Sequence, residues 1–222
     1  LFCVLVPSGL SAVALVDMAF LRQGDELLIP DNAYGPNKAF ATAELSAWGI
    51  THRYYDPQNP ADLAAKISTA TRLVWLEAAG SITLEYPDLP ALVAVVKQAN
   101  AAREPSARAV LTALDNTWGA GIAFNAFDMG VDVSMQALTK YPSGGADVLM
   151  GSVVTRDETL HQQVLMTHMR LGLGVSGNDV ELVLRGLSTM ALRYAAQDTA
   201  TRELASWMQG QPGVAQVLHP AL

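Results

Sequence analysis

The sequence predicts an α/β fold, a mostly parallel sheet covered by helices, and three observations predict it. Short apolar runs of strand length alternate with segments of helical periodicity, the pattern of βαβ units. Gly24-Asp25, Asp56-Pro57 and Pro142-Ser143-Gly144-Gly145 punctuate the alternation as turns. Half of the 222 residues are hydrophobic and 16% are charged, which fits a well-buried core rather than a disordered chain.

The elements follow in order. Pro7-Ser8-Gly9-Leu10 opens a helix over Ser11–Leu21, with Ser8 as its N-cap. A strand at Glu26–Pro30 leads into the turn Asn32-Ala33-Tyr34-Gly35-Pro36 and a helix over Asn37–Trp48. Thr51–Tyr55 is the next strand, Ala61–Ile67 a helix, Leu73–Glu77 a strand and Leu89–Ala102 a helix. The apolar run Ala109–Leu114 is a strand that delivers Asp115 at its C-terminal end. Val131–Ala137 is another, followed closely by Lys140. Val148–Thr155 and Glu158–Leu171 read as a strand and a helix. From Asn178 the pattern changes to one long helix, Asp179 to about Met208, with Val180, Leu184, Leu187 and Ala191 at helical spacing. Gly210-Gln211-Pro212-Gly213 stops it, and Val214–Leu218 alternates like a strand.

Composition excludes several function classes. A net charge of −7 without a basic run argues against nucleic acid as a partner, because phosphate neutralisation needs clustered Lys and Arg. No apolar stretch approaches the ~20 residues of a membrane span. The single cysteine, Cys3, rules out an intramolecular disulfide and fits a reducing compartment such as the cytoplasm. The histidines at 52, 161, 168 and 219 lack metal-ligand spacing, so no metal is expected. Gly172-Leu173-Gly174-Val175-Ser176-Gly177 is a literal G-x-G-x-x-G, but helical rather than strand-like sequence precedes it, and the dinucleotide-binding context is missing.

The chemistry gathers at strand ends. In open α/β sheets, ligands collect just beyond the carboxyl ends of the strands. Asp115 and Lys140 placed there suit a cofactor with a basic ring nitrogen and an aldehyde, and pyridoxal phosphate is such a cofactor. The helix start at Ser8-Gly9-Leu10 is a ready phosphate seat, because exposed N–H groups and the helix dipole point there. Thr139 offers a hydroxyl to the same phosphate, and a desolvated Lys140 would form imines and shuttle protons. Tyr34 can stack on a planar ring and handle a proton. Plain roles stand beside these: Ser8 as a simple cap, Tyr34 as a loop tyrosine over the sheet edge, Asp115 as the cap of its turn, and Lys140 as a surface lysine.

Taken together, these residues resemble the Cys/Met-metabolism family of pyridoxal-phosphate enzymes, the transsulfuration group. The ordered matches are Ser8-Gly9-Leu10-Ser11-Ala12, Tyr34-Gly35, Leu114-Asp115-Asn116-Thr117, Thr139-Lys140-Tyr141 and Leu184-Arg185-Gly186-Leu187, and they run through essentially the whole chain. One departure is Ala137, where many members carry a serine that contributes to the phosphate. The resemblance implies an aspartate-aminotransferase-type (fold type I) large domain over residues 1–209, truncated at its N-terminus, with residues 210–222 beginning a small domain that is mostly missing. It implies a cofactor held by Gly9, Leu10, Tyr34, Asp115, Thr139 and Lys140, with Lys140 and Tyr34 catalytic. The partners it implies are a small sulfur amino acid and further copies of the chain, a homodimer or homotetramer with the site at the subunit interface. The form Glu77-Ala78-Ala79-Gly80-Ser81-Ile82-Thr83-Leu84-Glu85 resembles the β-eliminating branch of the family. The reaction implied is β-elimination of L-cystathionine to homocysteine, pyruvate and ammonia. A γ-acting lyase or synthase, or a cofactor-binding fragment without activity of its own, are the alternatives.

Overall fold

The computed structural model describes residues 1–222. Its strands are β1 (Phe2–Val6), β2 (Glu26–Pro30), β3 (Thr51–Tyr55), β4 (Thr71–Glu77), β5 (Leu111–Asp115), β6 (Val133–Ala137) and β7 (Gly151–Thr155). They form one sheet in the order β1-β7-β6-β5-β4-β2-β3. Strands β2 to β6 pair in parallel, whereas β7 runs antiparallel to both β6 and β1. The expected mostly parallel, helix-covered sheet is therefore present.

The central strands are largely apolar because both faces of the sheet are covered. Leu27, Ile29, Leu73 and Trp75 pack on one face with helix α1 (Gly9–Phe20) and Val164 of α5 (Glu158–Leu171). Leu28, Val74, Leu76 and Leu114 pack on the other with Leu63 of α3 (Pro60–Lys66) and the Leu92, Val93 and Val96 stripe of α4 (Leu89–Ala101). Capping side chains start these helices: Ser8 Oγ accepts from Ser11 N, Asp88 from Ala91 N and Asp157 from Leu160 N. Between β2 and β3, α2 (Gly35–Phe40) widens into one π-helical turn at Ala41–Leu45.

The structure departs from the expected elements in four places. Strand β1 was not expected; it exists because β7 supplies its ladder. The long C-terminal helix is two, α6 (Gly177–Leu187) and α7 (Met190–Gln209). Hydroxyls compete for the backbone at the break, where Ser188 Oγ donates to Arg185 O at 2.8 Å and Thr189 Oγ1 to Gly186 O at 3.3 Å. The stripe read from helical spacing is not the buried one: Leu184 and Leu187 are exposed, and Val183 is the residue buried with Leu138, Val148 and Met150. Val214–Leu218 forms no strand, since no neighbouring strand pairs with it. Gly172 caps α5 with a left-handed φ of 65°, so the G-x-G-x-x-G segment follows a helix, as the sequence indicated. No helix is long and apolar enough to cross a membrane.

Candidate active site

Parallel order brings the C-terminal ends of β4, β5 and β6 to one edge of the sheet, where the N-terminus of α1 and the turn after β2 also arrive. There they enclose a cavity of about 460 Å³. Gly9, Leu10, Tyr34, Asp115, Thr139 and Lys140 all line it, so the structure brings every singled-out residue to one place.

The α1 end of the cavity offers free donors. The first N–H groups of a helix have no intrahelical partner. Ser8 satisfies Ser11 through its side chain at 3.0 Å and Ala12 through its carbonyl at 3.1 Å, leaving the Gly9 and Leu10 amides for a ligand. Two close approaches hold this end in place. A Cβ on Gly9 would stand 2.7 Å from the Cβ of Ala137, and one on Gly151 would run into the Ser8 carbonyl. Ala137 therefore packs flat against the helix start, and its own N–H donates to Thr117 Oγ1 at 2.9 Å. The Thr139 hydroxyl is engaged with the Met150 backbone, accepting from Met150 N at 3.1 Å and reaching Met150 O at 3.3 Å. To donate to a phosphate it must give up the longer of these bonds.

Asp115 ends β5 as a buried carboxyl group that forms no ion pair. Its one partner is the Thr117 amide, at 3.0 Å from Oδ1. Burial pushes its carboxyl above the ordinary range, and the Thr117 bonds offset part of the rise. A cation in the cavity would reverse that balance. Beside it in register lies Glu77, the last residue of β4. Burial first, and the Asp115 charge second, push the Glu77 carboxyl up to about 7.

Tyr34 precedes α2 and is 40% exposed at the rim of the cavity. Lys140 sits in the turn after β6, which Ser143 N→Leu138 O at 2.9 Å and Gly144 N→Lys140 O at 3.0 Å tie off. Gly186 of α6 lies against the Pro142 and Ser143 carbonyls, where a Cβ would collide. That close approach gives a physical reason for the glycine in Leu184-Arg185-Gly186-Leu187. The expected desolvation of Lys140 is not found: the residue lines the cavity but is exposed.

Ser81, Thr117 and Trp118 also line the cavity, and Glu77 braces it; none was singled out from sequence as a site residue. Glu77 carried a usable signal, the same one as Asp115: an acid at the end of an apolar strand. Trp118 and Ser81 carried none, because loop conformation alone decides which way they face.

A family model described as Cys/Met metabolism PLP-dependent enzyme matches residues 2–222. The cystathionine β-lyase of Escherichia coli is 38% identical over 99% of this chain and 54% of its own length. That of Bordetella avium is 37% identical over 99% of this chain and 52% of its own. The chain thus spans about half the length of the curated relatives it matches. Among solved structures, metB from Corynebacterium glutamicum superposes on all of the chain, over 55% of its own, with a TM-score of 0.90 at 25% identity. Helix start, acid-tipped strand and lysine turn occur here in the order the motifs prescribe, and with the match running from one end to the other the chain belongs to the Cys/Met metabolism PLP-dependent enzymes.

Proposed function

We propose that this chain is the cofactor-binding part of a carbon–sulfur lyase that cleaves L-cystathionine by β-elimination. The observation that carries the reading is Asp115: a buried carboxyl group without a cationic partner, lining the same cavity as Lys140 and the free amides of α1. Pyridoxal phosphate, the family's cofactor, fits that donor set, bringing a phosphate for the amides, a protonated ring nitrogen for the acid and an aldehyde for the amine. When bound, it supplies a carbon that condenses with amines and a ring that takes up electron density from the substrate α-carbon.

Each side chain then has one task. Gly9 and Leu10 N–H bind the phosphate, supported by the α1 dipole. Asp115 holds the ring-nitrogen proton at its carboxylate. Lys140 Nζ would hold the cofactor by its aldehyde carbon, and as a free amine it would take the proton from the substrate α-carbon. Tyr34 would stack its ring on the cofactor, and its hydroxyl would assist proton movement. Loss of thiolate from the β-carbon leaves homocysteine as one product and, after hydrolysis, pyruvate and ammonia as the others. The Gly80-Ser81-Ile82-Thr83-Leu84-Glu85 form and the names of the relatives support β- over γ-elimination.

Full-length protein supplied with pyridoxal phosphate tests both halves. A visible absorbance band is expected that borohydride bleaches while fixing the cofactor onto Lys140, and the band should be absent from Lys140→Ala. Cystathionine should yield pyruvate. A 2-oxobutanoate product would move the assignment to γ-elimination, and the absence of a band would refute the cofactor role of this site.

A further inference from the structure

Glu77 is 3% exposed at the end of a strand that is otherwise largely apolar. A buried carboxyl group is costly unless it is hydrogen-bonded. Glu77 meets that need with two backbone donors from two different loops. Tyr34 N–H donates to Oε2 and Ser81 N–H to Oε1, each at 2.8 Å. One loop follows β2 and the other follows β4, and both Tyr34 and Ser81 line the cavity. The same two loops touch again through Asn32, whose carbonyl accepts from Ile82 N at 3.3 Å and whose Nδ2 donates to Thr83 Oγ1 at 3.0 Å. Tyr34 has no side-chain cap of its own to hold it at the start of α2. An acid at this register position faces Asp115, a repulsion that an apolar residue would avoid. Two amides fixed at once is what the acid provides in return.

Building on the cofactor reading above, we propose that Glu77 is a positioning residue: its two carboxylate oxygens clip the Tyr34 turn and the Ser81 loop to the end of β4, and so hold the Tyr34 ring at the cofactor cavity. Glu77 acts through Tyr34 and touches neither cofactor nor substrate. A glutamine is nearly the same size but replaces one acceptor with a donor, so it can serve only one of the two amides.

The test is a double-mutant cycle on cofactor affinity in the full-length apoenzyme, with no turnover required. Trp118 lines the cavity, so quenching of tryptophan fluorescence reports occupancy by pyridoxal phosphate. Glu77→Gln is expected to weaken binding about tenfold, the scale of one charge-assisted hydrogen bond. In a Tyr34→Ala background the same change should cost less than about twofold, because the ring it positions is gone. An unaltered Kd for Glu77→Gln, or the same loss in both backgrounds, overturns the proposal. Failure of the wild-type apoenzyme to bind pyridoxal phosphate overturns the cofactor reading itself, and needs no variant to detect. Should Glu77→Gln not accumulate in folded form, Glu77→Asp withdraws the carboxyl by one methylene. It carries the same two expectations and the same two refutations.

Discussion

Asp17 and Asp115 are both buried acids, and their surroundings give them opposite uses. Asp17 lies inside α1 against the sheet, fully buried, with Trp75 Nε1 donating to Oδ1 at 2.8 Å and nothing bonded to Oδ2. Burial pushes its carboxyl up to about 8, with the Trp75 bond offsetting part of the rise. Away from the cavity and without a cation, it does best protonated. Asp17→Asn keeps the shape and removes the charge. The variant should match wild type below pH 3.8 and gain stability over it as pH rises toward about 8, with a slope of at most ~1.4 kcal/mol per pH unit; thermal unfolding across that range checks it. Asp115 opens onto the cavity, where a ring cation can partner it. Asp115→Asn should reduce kcat by about 100-fold or more, the usual worth of a placed proton-holding group. It should also leave the Tm of the cofactor-free protein at pH 7 unchanged or higher, since the repulsion on Glu77 is gone. A fall in Tm parallel to the activity would mean that Asp115 is structural. Asp115 and Lys140 were legible in the sequence because a charged residue beside an apolar strand stands out. Asp17 was not, because one acid within an apolar helix looks like a solvent-facing residue until the packing is known.

Among the elements, the expected strands and helices of the central layer match the structure to within a few residues, because burial on both faces writes largely apolar runs into β2, β4 and β5. The errors fall where tertiary partners decide. Strand β1 depends on β7, and the break between α6 and α7 depends on Ser188, Thr189 and the Lys140 turn beneath Gly186. Gly186 of α6 packs directly against the turn that carries Lys140. Gly186→Ala places a methyl group against the Pro142 and Ser143 carbonyls, so α6 and the lysine turn must separate. The expected cost is about 1–3 kcal/mol of stability. Weaker pyridoxal phosphate binding should accompany it, measured by denaturant unfolding and by titration. Equal affinity in a destabilised variant would show that the turn holds its place without α6.

For the whole molecule, titrating carboxyl groups set a window of stability. Asp17, Glu77 and Asp115 all stand above their ordinary values, so the stability they allow is fully present below the unfolded range and is lost as pH rises through their folded values, up to about 8. Glu26 is held below its ordinary value by Arg53, Thr71 and Ser68 despite the opposing effect of burial, and its contribution is lost as pH falls through that lowered value. Without cofactor, stability should therefore peak on the acid side of neutrality and decline toward pH 8, which a Tm-against-pH curve for the cofactor-free full-length protein checks; a maximum above pH 8 would contradict the assignment of these acids. The sheet order carries a further consequence. β1 has no ladder partner except β7, with Phe2 opposite Thr155, and Ser8 rests on Gly151. During translation the first residues of this region must wait until β7 has left the ribosome before their sheet partner exists. The α1 start, the proposed phosphate seat, is thus among the last parts of the site to close, and a nascent chain arrested before residue 151 lacks the pairing that completes it.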